Sequence, residues 1–265
     1  MNMFLHELKF YRKSTIIWTL SLLAIVIVFL SMYPGFSKDV DGLKNLLESY
    51  PEQVRKAFGI TLESFSTILG FYSYLFIYIS LCGGIQAMNL GLSVISKETS
   101  DKTADFLLTK PVTRREIMTA KLLAILTSII ITNIIFISFS IIIAYFVSNT
   151  SFDIKIFIMI SITMFFIQLI FLTLGILIST IVSKIKSVIA VSLSTVFGLF
   201  IISMLDSVID SDVLKYLTPF KYFDLSYVTR NASYESPFII IEIIFIITSL
   251  TISYYIYSKK DIHAV

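Results

Sequence analysis

Residues 120–147 read AKLLAILTSIIITNIIFISFSIIIAYFV. After Lys121 there is no charged residue in this stretch, and Ile129-Ile130-Ile131 breaks the strict apolar–polar alternation that a membrane-spanning strand would show. About 20 apolar residues suffice for a helix to cross a hydrocarbon core roughly 30 Å thick. A helix also satisfies every backbone N–H and C=O within the segment, as a membrane interior requires. Residues 120–147 therefore predict a transmembrane helix, long enough to tilt or to project beyond the bilayer.

The same reading applied outward finds five more: residues 15–33, 68–96, 156–182, 188–205 and 238–257. The fold class expected is an all-α polytopic membrane protein, with residues 1–265 forming one transmembrane domain. The bulk composition agrees: of 265 residues 56% are hydrophobic and 15% charged, and the mean hydropathy is +0.87. Soluble domains sit near 45–50% apolar and about 25% charged. One cysteine, Cys82, and two histidines exclude a disulfide framework and a zinc site. The net charge of +3 on so apolar a chain does not suggest nucleic-acid binding.

Charge sets the expected orientation. With the N-terminus inside, the inner segments hold thirteen Lys and Arg against six carboxylates, and the outer side eight against twelve. The positive-inside rule then places both termini in the cytoplasm of a cell (plasma) membrane protein. Trp18, Tyr33, Tyr254, Tyr255 and Tyr257 suit interfacial aromatic belts. Ser31-Met32-Tyr33-Pro34 lacks a small-x-small cleavage pattern, so the first span reads as a retained anchor.

The polar segments carry the more specific information. Phe4, Leu8 and Tyr11 fall on one helical face among Lys9, Arg12 and Lys13, which predicts a short amphipathic helix before the first span. A frayed basic tail is the alternative. In the outer loop 34–67, stripes at Leu43, Leu46, Leu47 and Tyr50, and at Val54, Ala57 and Phe58, predict two short helices, the second ended by Gly59. They would act as a structural cap or as a lid. The longest inner loop, Lys97–Lys121, reads KETSDKTADFLLTKPVTRREIMTAK and holds six of the thirteen inner cations. A short helix over Asp101–Thr109 should break at Lys110 before Pro111, and Thr113 with Glu116 has the spacing of a capping box. Apolar side chains flanked by both signs of charge suit docking against another protein.

Glu98, Thr103, the run Phe106-Leu107-Leu108, Pro111-Val112, Arg114 or Arg115, and Lys121 together resemble the loop between the second and third spans of bacterial type-2 ABC exporter permeases. Lys102 stands where many members have Gly. Tyr50-Pro51-Glu52, Lys56-Ala57-Phe58-Gly59, and Thr218-Pro219-Phe220-Lys221-Tyr222-Phe223-Asp224 add to the likeness, which extends over essentially the whole chain. The resemblance implies a permease that pairs with a second permease chain, identical or paralogous, and with two cytoplasmic ABC ATPase subunits. Loop 97–119 would hold the coupling helix, with Glu98, Thr103, Asp105, Phe106, Leu107, Leu108, Pro111, Arg114 and Arg115 in contact with the ATPase; the N-terminal helix would be the elbow. The chain itself would hold no cofactor and not be an enzyme, with ATP and Mg in the partner; no G-x-x-x-x-G-K-[ST] segment occurs.

Polar residues inside spans mark either interhelical hydrogen bonds or a substrate path. The candidates are Gln86, Asn89, Asn133, Gln168 and Glu242, the last being the only clear carboxylate within a predicted span. Gly83, Ala87 and Gly91 form a small-residue stripe, expected to pack within the chain. Three other functions compete with transport by an ATP-driven exporter. An intramembrane enzyme lacks its catalytic pairs, since His6 and His263 lie in the termini. A membrane sensor or immunity protein would bind an antimicrobial at its outer loops. A secondary transporter would have one marginal Glu for proton coupling.

Overall fold

The computed structural model describes residues 3–37, 42, 47, 49–60, 63–100, 113–148, 151–182 and 184–259. Six long helices, each apolar enough to cross a membrane, make up most of it: α1 (Met3–Phe36), α4 (Ile68–Ser100), α5 (Arg114–Val147), α6 (Ile154–Ile181), α7 (Val188–Ile209) and α10 (Ser236–Lys259). Short elements join them: α2 (Glu52–Ala57), α3 (Glu63–Ser66), α8 (Asp212–Leu217), a 3-10 turn at Pro219–Lys221 and α9 (Leu225–Asn231). No strand occurs among the described residues. The end of the bundle carrying residues 49–66 and 210–235 is the distal end; the N-terminus lies at the proximal end.

Two boundaries differ from the sequence reading. The expected elbow helix and first span are one continuous helix of 34 residues. Nothing before Pro34 breaks it, and two threonine hydroxyls near the expected junction bond back to carbonyls of the preceding turn. Thr15 Oγ1 donates to the Tyr11 carbonyl at 3.0 Å, and Thr19 Oγ1 to that of Thr15 at 2.8 Å. At 1.5 Å per residue α1 is about 50 Å long, well beyond the hydrocarbon thickness. The fifth span runs on to Ile209, four residues past its expected end, and takes Asp206 into the helix.

Local signals act as read at the start of α5. Thr113 accepts from the Glu116 N–H at 3.3 Å, and the Glu116 carboxylate accepts from the Thr113 N–H at 2.7 Å, completing the capping box. Asp153 caps α6 in the same sense, accepting from the N–H groups of Lys155 and Ile156. Gly59 ends α2 with a φ of +67°, a backbone that favours glycine. Of the expected 43–50 helix, most residues lie outside the described set; Leu47 is buried.

α4 and α6 form the centre, and α1 lies along α5. The α4–α6 approach is set by glycine. A Cβ on Gly91 would strike the Leu172 carbonyl oxygen, and one on Gly175 would come within 2.8 Å of the Met88 carbonyl. The stripe therefore packs within the chain, as expected, against a glycine on the partner helix. An aromatic cluster, with Tyr72 stacked on Phe157 at 4.0 Å, fills the distal half. Met88, Leu92, Ile125, Phe171 and Ile176 belong to the second core. Large apolar side chains remain exposed on α1, α5, α7 and α10, among them Leu20, Phe146, Ile201 and Ile244. Such faces suit hydrocarbon rather than water.

Candidate functional site

At mid-height, between the two apolar clusters, four helices contribute to one polar chain. Thr19 Oγ1 of α1 and Thr132 Oγ1 of α5 are 3.0 Å apart. Gln86 Nε2 of α4 donates to Thr132 Oγ1 at 3.4 Å. Gln168 Nε2 of α6 donates to Gln86 Oε1 at 3.2 Å, and Asn133 Nδ2 donates to Gln168 Oε1 at 2.6 Å. Gln86, Thr132 and Gln168 are all fully buried. In hydrocarbon such interhelical bonds contribute about 0.6–2 kcal/mol each. The structure thus unites Gln86, Asn133 and Gln168, three of the five path candidates. Asn89, one turn further along α4, is half-buried and stands outside the network.

The remaining candidate, Glu242, is 3% exposed on α10, and its Oε1 has no hydrogen-bond partner among the described residues. The Tyr222 phenol is raised by burial and further by the Glu242 carboxylate. A second buried carboxylate escaped the sequence reading. Asp206 is 1% exposed in the last turn of α7, with Lys221 Nζ 3.3 Å from its Oδ2. The same ammonium donates to Ser207 Oγ at 2.8 Å. A span that ends at Leu205 leaves Asp206 in a loop. The missed signal is periodic: Ser192, Val196, Phe200, Ser203 and Asp206 are the buried residues of α7, at spacings of three and four.

Lys221 belongs to the stretch Thr218–Asp224, which packs against the middle of α6 and α7 and the distal end of α10. Thr218 Oγ1 donates to the Leu199 carbonyl at 2.9 Å. Phe220 lies 5.4 Å from both Phe171 and Phe200, Phe223 stacks on Phe166, and Tyr222 stacks on Phe238. Asp224 then caps α9 through the N–H groups of Ser226 and Tyr227. Tyr234 donates to the Met159 carbonyl at 2.6 Å, and burial pushes its phenol up to about 12. Beneath this stretch a cavity of about 510 Å³ reaches between α4, α6 and α7. Ser73, Tyr78, Thr163 and Ser203 are on its wall; Gln86, Asn89, Asn133, Gln168 and Glu242 are not.

At the proximal end, Glu98 falls in the last turn of α4, and Arg114 and Arg115 open α5. Thr103, Asp105, Phe106, Leu107, Leu108 and Pro111 lie outside the described residues. The flanks of this loop are tied together by Lys121, 6% exposed, whose ammonium donates to the Val94 carbonyl at 2.9 Å. Thr119 Oγ1 lies 2.9 Å from the Tyr254 hydroxyl, joining α5 to α10.

Comparison with protein families matches residues 1–262 to the family described as ABC-2 family transporter protein. Comparisons with curated proteins and with solved structures found no match. The match spans nearly the whole of a chain with six membrane-length helices, and the chain belongs to the ABC-2 transporter family, as a membrane permease component of an ABC transporter.

Proposed function

We propose that this chain is the membrane-spanning permease of an ATP-driven exporter in the plasma membrane, with both termini cytoplasmic. It pairs with a second permease, identical or paralogous, and two ABC ATPase subunits bind beneath them and hold ATP and Mg. The observation that carries this reading is the family match over residues 1–262. On this reading Glu98, Thr103, Asp105, Phe106, Leu107, Leu108, Pro111, Arg114 and Arg115 receive the ATPase stroke. The Lys121–Val94 bond supports it, because motion of the loop then reaches α4 and α5 together. Gln86, Asn89, Asn133, Gln168 and Glu242 supply polar groups to the path when the helices rearrange.

Co-expression with its cognate ATPase tests the proposal. A stable complex should form, with vanadate-sensitive ATP hydrolysis faster than that of the ATPase alone. Glu98→Ala combined with Phe106→Asp should dissociate or uncouple it. Full assembly and export by that double variant would overturn the coupling assignment.

A further inference from the structure

The distal end holds two chambers of unlike chemistry that share a wall. The inner is the cavity of about 510 Å³ between α4, α6 and α7; the outer, about 570 Å³, lies between α2, the end of α7 and the start of α10. Gly59, Ser207, Lys221 and Asp224 border both. Each volume falls within the range of about 300–1,000 Å³ usual for small-molecule sites.

The inner chamber combines aromatic surface with hydroxyls whose protons are already committed. Ser73 Oγ donates to the Leu69 carbonyl at 2.8 Å, Thr163 Oγ1 to that of Met159 at 3.2 Å, and Ser203 Oγ to that of Phe200 at 2.9 Å. Such hydroxyls turn only lone pairs outward. With Tyr78, Phe200 and Phe220 beside them, they favour an uncharged body. Of the three charged groups on its wall, Lys221 is held by Asp206 and Ser207, Asp224 caps the N-terminus of α9, and Arg230 stands in the last turn of α9.

The outer chamber differs. Arg55, Lys56 and Lys215 face Asp210, Asp212 and Glu235. Lys56 is paired with Glu52 at 2.6 Å, and Lys215 with Asp210 at 2.9 Å and with Asp212 at 4.0 Å. Arg55 lines this chamber, and none of the ion pairs among the described residues involves it, so its guanidinium is available to an incoming anion. With those pairs made, Arg55 and Glu235 are left as one cation and one anion: a head of one sign engages only one of them, and a head with both signs engages both.

We propose that the two chambers form one site for a zwitterionic amphiphile. Its chain fills the inner chamber, its anionic group meets Arg55, and its cationic group meets Glu235. Binding requires no ATPase, so it is separable from the transport reading. The full chain, purified in a neutral maltoside detergent, is titrated with three probes of identical alkyl chain bearing a phosphocholine, a sulfate or a trimethylammonium head, and bound probe is counted by native mass spectrometry. The phosphocholine probe should bind at least about tenfold more tightly than either singly charged one, about 1.4 kcal/mol. Arg55→Gln should erase that preference, and Ser203→Leu, which fills the inner chamber, should abolish binding of all three. Equal binding of the three heads by the unaltered chain would overturn the proposal. So would an unchanged preference in Arg55→Gln. Because that substitution sits on a short surface helix away from the core, it decides the matter even if Ser203→Leu fails to fold.

Discussion

Gln168 is the residue on which the mid-height network turns, since its amide both donates to Gln86 and accepts from Asn133. Replacing it by Leu leaves the Gln86 carbonyl oxygen without its partner and removes the acceptor that Asn133 has on α6, where the cost of an unmade bond exceeds the gain from a made one. Gln168→Leu is expected to lower stability in detergent by about 1–3 kcal/mol. A double-mutant cycle with Asn133→Ala should return a coupling of about 0.6–2 kcal/mol, measured by thermal unfolding. The exposed pair Asp210–Lys215 behaves differently. Lys215, through a hydrogen bond and its charge, holds the Asp210 carboxyl below its ordinary value, and Asp210 raises the Lys215 ammonium. The carboxylate's contribution is present above its unfolded pKa and lost as pH falls through the lowered folded value. That of the ammonium is present below its unfolded pKa and lost as pH rises through the raised folded value. The pair is therefore intact across the neutral range. Carboxyl-carbon NMR should show the Asp210 midpoint move upward in Lys215→Met.

Between elements, the closest approach is that of α4 and α6. Its cause is the absence of side chains at Gly91 and Gly175, so that backbone meets backbone. Gly91→Ala forces one helix away from the other, and overpacking of this kind costs about 1–3 kcal/mol. Gly198→Ala on α7 meets nothing within 4 Å and should cause no loss; a helical Ala in fact gains about 0.5–1 kcal/mol over Gly. Equal melting temperatures for the two variants would contradict the packing account. The glycine stripe on α4 was legible as a contact surface because small residues recur every four positions. Its partner was not, because a lone Gly175 in an apolar helix carries no pattern of its own.

For the whole molecule, the uneven distribution of cations predicts that residues 49–66 and 210–235 face outward. In a Cys82→Ala background, Lys56→Cys should react with a membrane-impermeant maleimide on intact cells. Arg115→Cys should react only after permeabilisation. The reverse pattern would invert the assignment of both termini. All six long helices were readable beforehand, since hydrocarbon demands about 20 apolar residues in sequence and such runs are local. Their ends were less so: α1 continues through residues 3–14 and α7 through Asp206. A charged residue normally marks the membrane boundary, yet Asp206 is neutralised by Lys221, fifteen positions away along the chain.

Sequence alone determined the all-helical membrane class, the number of long helices, the capping box at Thr113 and the resemblance that the family match over residues 1–262 upholds. Each is a local property, carried by a run, a spacing or a motif. Tertiary structure alone decided that Gln86, Asn133 and Gln168 meet, that Gly91 lies on Gly175, and that Lys221 reaches Asp206 at the wall of the distal chambers. The reason is the medium. Within hydrocarbon, lipid and a neighbouring helix are equally apolar, so a helix's hydrophobic pattern does not specify its neighbours. Close packing and polar pairing decide that, and both depend on side chains far apart in sequence.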